Sequence, residues 1–154
     1  MIFDSAQIAR NIHRGAYRLI GSGSGRAVYD LGQEYVAKIA KNGKGIGQNQ
    51  AEYQISLRDK SGLFAGIPHA SDDLHIIIME KAKRLRSISD VWRYYNVRNN
   101  EELSRIPEIR DALAQHSLIF VDLCRPRNWG VLHGRPVVID YGFTWTVNRD
   151  YYLH

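Results

Sequence analysis

The chain has 154 residues, 44% of them hydrophobic, and a formal net charge of +5. That length supports one ordinary core and excludes two generous ones. No apolar run approaches the roughly 20 residues that cross a bilayer, and the start, Met1-Ile2-Phe3-Asp4, has no basic segment leading into an apolar one, so a cytoplasmic location with no membrane span is expected. The single cysteine, Cys124, excludes an internal disulfide and suits a reducing compartment. The positive charge favours polyanionic partners, and basic residues crowd Lys81–Arg86 and Arg125–Arg127.

Taken in chain order, Tyr17, Leu19 and Ile20 lead into the glycine-dense Gly21–Gly25, and Ala27-Val28-Tyr29 leads out of it, which predicts a hairpin. Asp30–Gln33 supplies a turn, and Tyr35–Ile39, apolar around Lys38, predicts a third antiparallel strand. Three antiparallel strands are thus expected to open the chain. A second glycine-dense stretch, Gly43–Gly47, reads as a loop. Gln48–Arg58 places Ala51, Ile55 and Arg58 at helical spacing without Gly or Pro, which predicts a helix carrying Glu52. After Ile67-Pro68, His75–Met79 is the densest apolar run and predicts a buried strand. Ser89–Tyr95 and Glu101–Ile119 predict two helices, with Pro107 disturbing the first turns of the second. Val131-Leu132 and Val137–Ile139, on either side of His133–Pro136, predict a closing hairpin. The fold class is α+β.

A glycine-rich turn between two strands can bring backbone amides close to phosphates, because no side chain obstructs them. Alone, Gly21-Ser22-Gly23-Ser24-Gly25 is equally a flexible turn. It is not succeeded by the Lys and Ser or Thr of a P-loop, and the residues after it are strand-like where a dinucleotide fold needs a helix. Together with Arg26-Ala27-Val28, however, it resembles the protein-kinase pattern G-x-G-x-x-G-x-V, with Arg26 at the third glycine. Val36-Ala37-Lys38-Ile39 resembles the kinase strand that presents a lysine to phosphates, and Glu52 the helix glutamate that holds it. Asp122-Leu123-Cys124-Arg125-Pro126-Arg127-Asn128 is similar to the catalytic loop, with Phe120-Val121 in place of His-Arg and one residue more between Asp and Asn. Asp140-Tyr141-Gly142, directly after an apolar strand, resembles the metal-binding Asp-Phe-Gly.

This resemblance, to the protein-kinase-like superfamily and its serine/threonine kinases, implies a single kinase-like domain over 1–154. An antiparallel N-lobe sheet with one helix would take 12–80, and a reduced, mostly helical C-lobe 81–154. The activation segment, the Ala-Pro-Glu motif and the peptide-binding floor are expected to be missing, because only Phe143–His154 come after Asp-Tyr-Gly. The implied cofactors are ATP and Mg²⁺, and the implied activity is phosphotransfer to a hydroxyl. Asp122 would orient the acceptor, with Lys38 and Glu52 completing the catalytic set. Gly21, Ser22, Gly23, Ser24, Gly25, Val28, Ala37 and Lys38 would contact nucleotide, as would Met79, Glu80 and Ala82 at the adenine hinge. Asn128 and Asp140 would bind the metal.

Two other readings stand beside it. One is an inactive, pseudokinase-type module acting through a protein partner. The other is a nucleic-acid binder using Lys81, Lys83, Arg84, Arg86, Arg125 and Arg127, with Trp92, Tyr94 and Tyr95 for stacking. Cys124 as a nucleophile with His116 or His133 is disfavoured, and the six histidines show no zinc-ligand spacing.

Overall fold

The computed structural model describes residues 2–151. The chain forms two compact units, one from the residues up to Leu57 with Gly66–Lys81, the other from Arg58–Ala65 and the residues from Ala82 onward.

The first unit is an antiparallel five-stranded sheet flanked by two helices. Helix α1 (Ser5–His13) precedes strands β1 (Arg18–Ser22), β2 (Arg26–Gly32) and β3 (Tyr35–Ala40). Helix α2 (Gly43–Arg58), then β4 (His69–Ala70) and β5 (Ile76–Glu80), complete it, in the strand order β1-β2-β3-β5-β4. The chain therefore opens on a helix, ahead of the three expected strands. Asp4 caps α1 by accepting from the Gln7 amide at 3.1 Å. Ile8 and Ile12 then fall on one face and pack with Ala37, Ile78 and the partly buried Tyr35 and Ile39. Strand alternation sends Lys38 to the opposite sheet face, away from that cluster.

Two further expectations shift. Asp30–Gly32 is strand, and the turn sits at Gln33-Glu34, both at positive φ between the paired Gly32 and Tyr35. Helix α2 begins at Gly43, so the Gly43–Gly47 stretch, expected as a loop, is its first turn. Asn42 caps it by accepting from the Gly45 amide at 3.1 Å.

The second unit holds the short helices α3 (Ser89–Tyr95), α4 (Asn100–Ser104), α5 (Pro107–His116) and α6 (Phe120–Leu123), then a 3₁₀ turn at Pro126–Asn128. A small sheet of order β6-β7-β8 joins β6 (Lys83–Arg84), β7 (Trp129–Leu132) and β8 (Arg135–Val138), and α7 (Trp145–Tyr151) comes last. The single helix expected over Glu101–Ile119 is thus divided. Pro107 lacks the amide hydrogen that would continue α4 and instead opens α5, with Ile106 extended before it. Leu63, Phe64 and Ala65 are buried in this unit, the Val138 and Ala65 amides donating to Leu63 and Val138 carbonyls at 2.8 and 2.9 Å. Trp129, wholly buried, donates its indole N–H to the Leu123 carbonyl at 2.8 Å. Among the described residues, no helix is long and apolar enough to cross a membrane.

Candidate functional site

In the first unit, β2 and β3 are paired so that Val28 lies opposite Lys38 and Tyr29 opposite Ala37. Val28 thereby shares the sheet face of Lys38, whereas Ala37, also predicted to contact nucleotide, has its side chain on the other face, buried with Ile8 and Ile78. Glu52, fully buried on α2, accepts a hydrogen bond from Lys38 Nζ at 2.9 Å through Oε1. It also has a partner that the sequence did not reveal. Arg26 donates through Nη1 to Glu52 Oε1 at 2.7 Å and through Nη2 to Oε2 at 2.9 Å, and Nη1 reaches Asn49 Oδ1 at 3.1 Å. Burial alone pushes the Glu52 carboxyl up, but the charges of Arg26 and Lys38 outweigh it and bring the pKa down to about 2. The ion pair is therefore intact at neutral pH.

The Gly21–Gly25 turn is fastened to the start of α2. Lys41 Nζ donates to Ser22 Oγ at 2.5 Å and to the Gly23 carbonyl at 2.7 Å, and Asn42 Nδ2 donates to the Ser24 carbonyl at 2.8 Å. Lys44 donates to Ser24 Oγ. Gly45 lies so close that a Cβ there would stand 2.0 Å from the Gly25 carbonyl oxygen, which only glycine permits. At the predicted hinge, Met79 and Glu80 belong to β5 and pair with Val36 and Tyr35. The Glu80 carboxylate accepts from the Gly66 amide at 2.7 Å. Ala82 belongs to the second unit.

The second unit gathers Asp122, Asn128 and Asp140. Asp122 sits in the helical turn α6 where a loop was expected, and its carbonyl accepts from Asn128 Nδ2 at 2.8 Å. The Asn128 amide nitrogen is thus committed to backbone, and Oδ1 is its atom with metal-ligating chemistry. Asp140 comes after β8, aligned by the bond from the Ile139 amide to the Asn128 carbonyl at 2.8 Å. Burial raises the Asp122 carboxyl above its ordinary value; Arg125, 3.7 Å away, pulls it down, the Asp140 charge pushes it up, and Arg127 pulls it down. Cys124 is half-buried, and burial with the Asp122 charge raises its thiol pKa, which suits a structural residue. Among the described residues, no three His, Cys, Asp or Glu side chains cluster as metal ligands. Asn128 and Asp140 nevertheless offer the small hard-oxygen set that suits Mg²⁺, an ion that usually keeps waters and phosphate oxygens in its shell.

The fold defined by these units is protein-kinase-like: α+β, with an antiparallel five-stranded sheet, its helices and a reduced helical portion. The crystal structure of WbdD superimposes with a TM-score of 0.50 at 17% identity, over 82% of this chain and 32% of that one. This chain accordingly spans about a third of the WbdD chain. A ternary complex of APH(2")-IIa with streptomycin and ATP gives a TM-score of 0.49 at 15% identity, over 92% and 73% of the two chains. A second structure, described as the bifunctional kinase-methyltransferase WbdD, gives 0.42 at 18% identity, over 77% and 30%. No family model and no curated protein matches the chain by sequence.

Proposed function

We propose that the chain binds ATP with Mg²⁺ and transfers the terminal phosphoryl group to a hydroxyl acceptor, either a protein or a small molecule. The observation that carries this reading is the buried Lys38–Glu52 ion pair, in the same unit as the glycine turn of a kinase-like fold. Lys38 would neutralise phosphate charge, and Glu52 would fix its direction. Asn128 and Asp140 would hold Mg²⁺, which when bound neutralises charge on the phosphate oxygens. Asp122 would accept the acceptor's proton as the new O–P bond forms and the bond to the β-phosphate oxygen breaks, releasing ADP. Its burial raises the carboxyl above its ordinary value and so makes the carboxylate a stronger base for that role. We also propose that 12–80 and 81–154 act as the two lobes of one domain and that the protein works in the cytoplasm.

Calorimetric titration with ATP tests the reading. Saturable binding that weakens without Mg²⁺ or in Asp140→Ala is expected, whereas no binding at millimolar ATP overturns it. Asp122→Asn should then retain ATP and lose transfer.

The position of Asp122 within α6, beside Arg125, favours a second reading, in which nucleotide is bound but nothing is transferred and the chain acts through a protein partner. ATP binding without turnover, together with capture of a partner that is unaffected by Lys38→Ala and Asp140→Ala together, would mark that case.

A further inference from the structure

Arg26 occupies the position where the resembling pattern has its third glycine, and its side chain turns inward to Glu52 with only 8% of its surface exposed. We infer that Arg26 is a positioning residue for Lys38: it anchors Glu52, so that the carboxylate keeps its place when Lys38 engages phosphate. The inference rests on the nucleotide-binding reading above and adds how that site is held ready.

The guanidinium fork matches both carboxylate oxygens, and the Lys38 ammonium donates to Oε1. If Lys38 swings toward phosphate, Glu52 still has a donor on each oxygen, and a fully buried carboxylate does not lose its compensation. Arg26 is itself backed. Asn49, one helical turn before Glu52 on α2, accepts from it and donates to the Leu74 carbonyl at 2.9 Å. The grip thus links β2, α2 and the approach to β5.

The test compares Arg26→Gln, Arg26→Lys and Lys38→Met, each first shown to fold by circular dichroism. Without nucleotide, amide hydrogen exchange around residues 49–55 should be unchanged in Lys38→Met, fast in Arg26→Gln and intermediate in Arg26→Lys, since an ammonium cannot bridge both oxygens. ATP affinity should fall about tenfold in Arg26→Gln and recover in part in Arg26→Lys. Exchange disturbed more by Lys38→Met than by Arg26→Gln would make Lys38 the anchor and overturn the inference, as would Arg26 variants that bind ATP like the unaltered chain. If Arg26→Gln does not fold, Arg26→Lys against Lys38→Met decides the same question. Failure of the unaltered chain to bind ATP would overturn the nucleotide reading, and the exchange arm would still report which residue anchors Glu52.

Discussion

His116 Nε2 lies 2.8 Å from Asp59 Oδ2, with the two side chains only 3% and 7% exposed. A residue at the end of α5 is thereby tied to one 57 positions earlier, in the segment that leads out of α2. The ring of Phe64 meets the His116 imidazole edge-on at 5.6 Å, so the pair is walled by an aromatic from the same segment.

Removing one member of this pair leaves the other buried with fewer partners. His116→Ala should destabilise the chain by about 1–3 kcal/mol in urea unfolding at neutral pH. A loss within the roughly 0.5 kcal/mol typical of surface substitutions would show that the bond contributes nothing. Burial raises the Asp59 carboxyl, but hydrogen bonds from Ser61 and His116 prevail and hold it below its ordinary value. The contribution is therefore present at neutral pH and fades as pH drops through that lowered value.

Acid should act most strongly through Glu52. Its pKa falls from 4.5 to about 2 in the folded chain, so the unfolded chain takes up a proton first as the solution is acidified. Stabilisation on the order of 3 kcal/mol is complete above the unfolded value and disappears between the two. Denaturation midpoints from pH 6 to pH 2 should drop more steeply for the native chain than for Glu52→Gln. Parallel curves would mean that other carboxylates govern acid sensitivity.

Gly45 and Gly23 should respond differently to alanine. In a helix, Gly→Ala ordinarily gains up to about 1 kcal/mol. At Gly45 the added methyl would meet the Gly25 carbonyl oxygen at 2.0 Å and the Ala40 Cα at 3.0 Å, so a loss of about 1–3 kcal/mol is expected. At Gly23 it would meet nothing within 4 Å. Gly23→Ala should leave the melting temperature unchanged, and a fall in ATP affinity there would locate phosphate at this turn.

The Gln33-Glu34 turn is built from residues that the left-handed region does not favour, at φ of 49° and 74°. Replacing the two by Asn-Gly keeps the backbone and should stabilise the hairpin by about 1 kcal/mol. A lowered melting temperature would show that the Gln33 or Glu34 side chain matters more than its φ.

The features legible in the sequence are local ones. Lys38 can be placed on a strand because its neighbours are apolar, and Glu52 on a helix because Gln48–Arg58 carries no breaker. Helix α1 has a readable signal, Asp4 as cap with Ile8 and Ile12 one turn apart, yet the stronger strand pattern after Tyr17 overshadows it. The glycines of 43–47 suggest a loop because their reason is tertiary, the close approach of Gly25 to Gly45. Arg26 stands out only as a departure from a pattern, since nothing in a linear chain shows that its guanidinium meets a carboxylate 26 positions on. The closing hairpin gains a third strand in the structure because Lys83-Arg84 is too short and too polar to announce one. Asp122 falls in a helical turn rather than a loop, since four residues are too few to show a helical period.

The contact between Gly25 and Gly45 also changes when the ordering of the turn takes place. A glycine turn that hangs loose loses its freedom on meeting a ligand, and that loss is subtracted from affinity. Here the turn is already fixed to α2, so the entropy is given up during folding. If phosphate binds at this turn as proposed, it would meet a surface whose ordering cost has been met in folding.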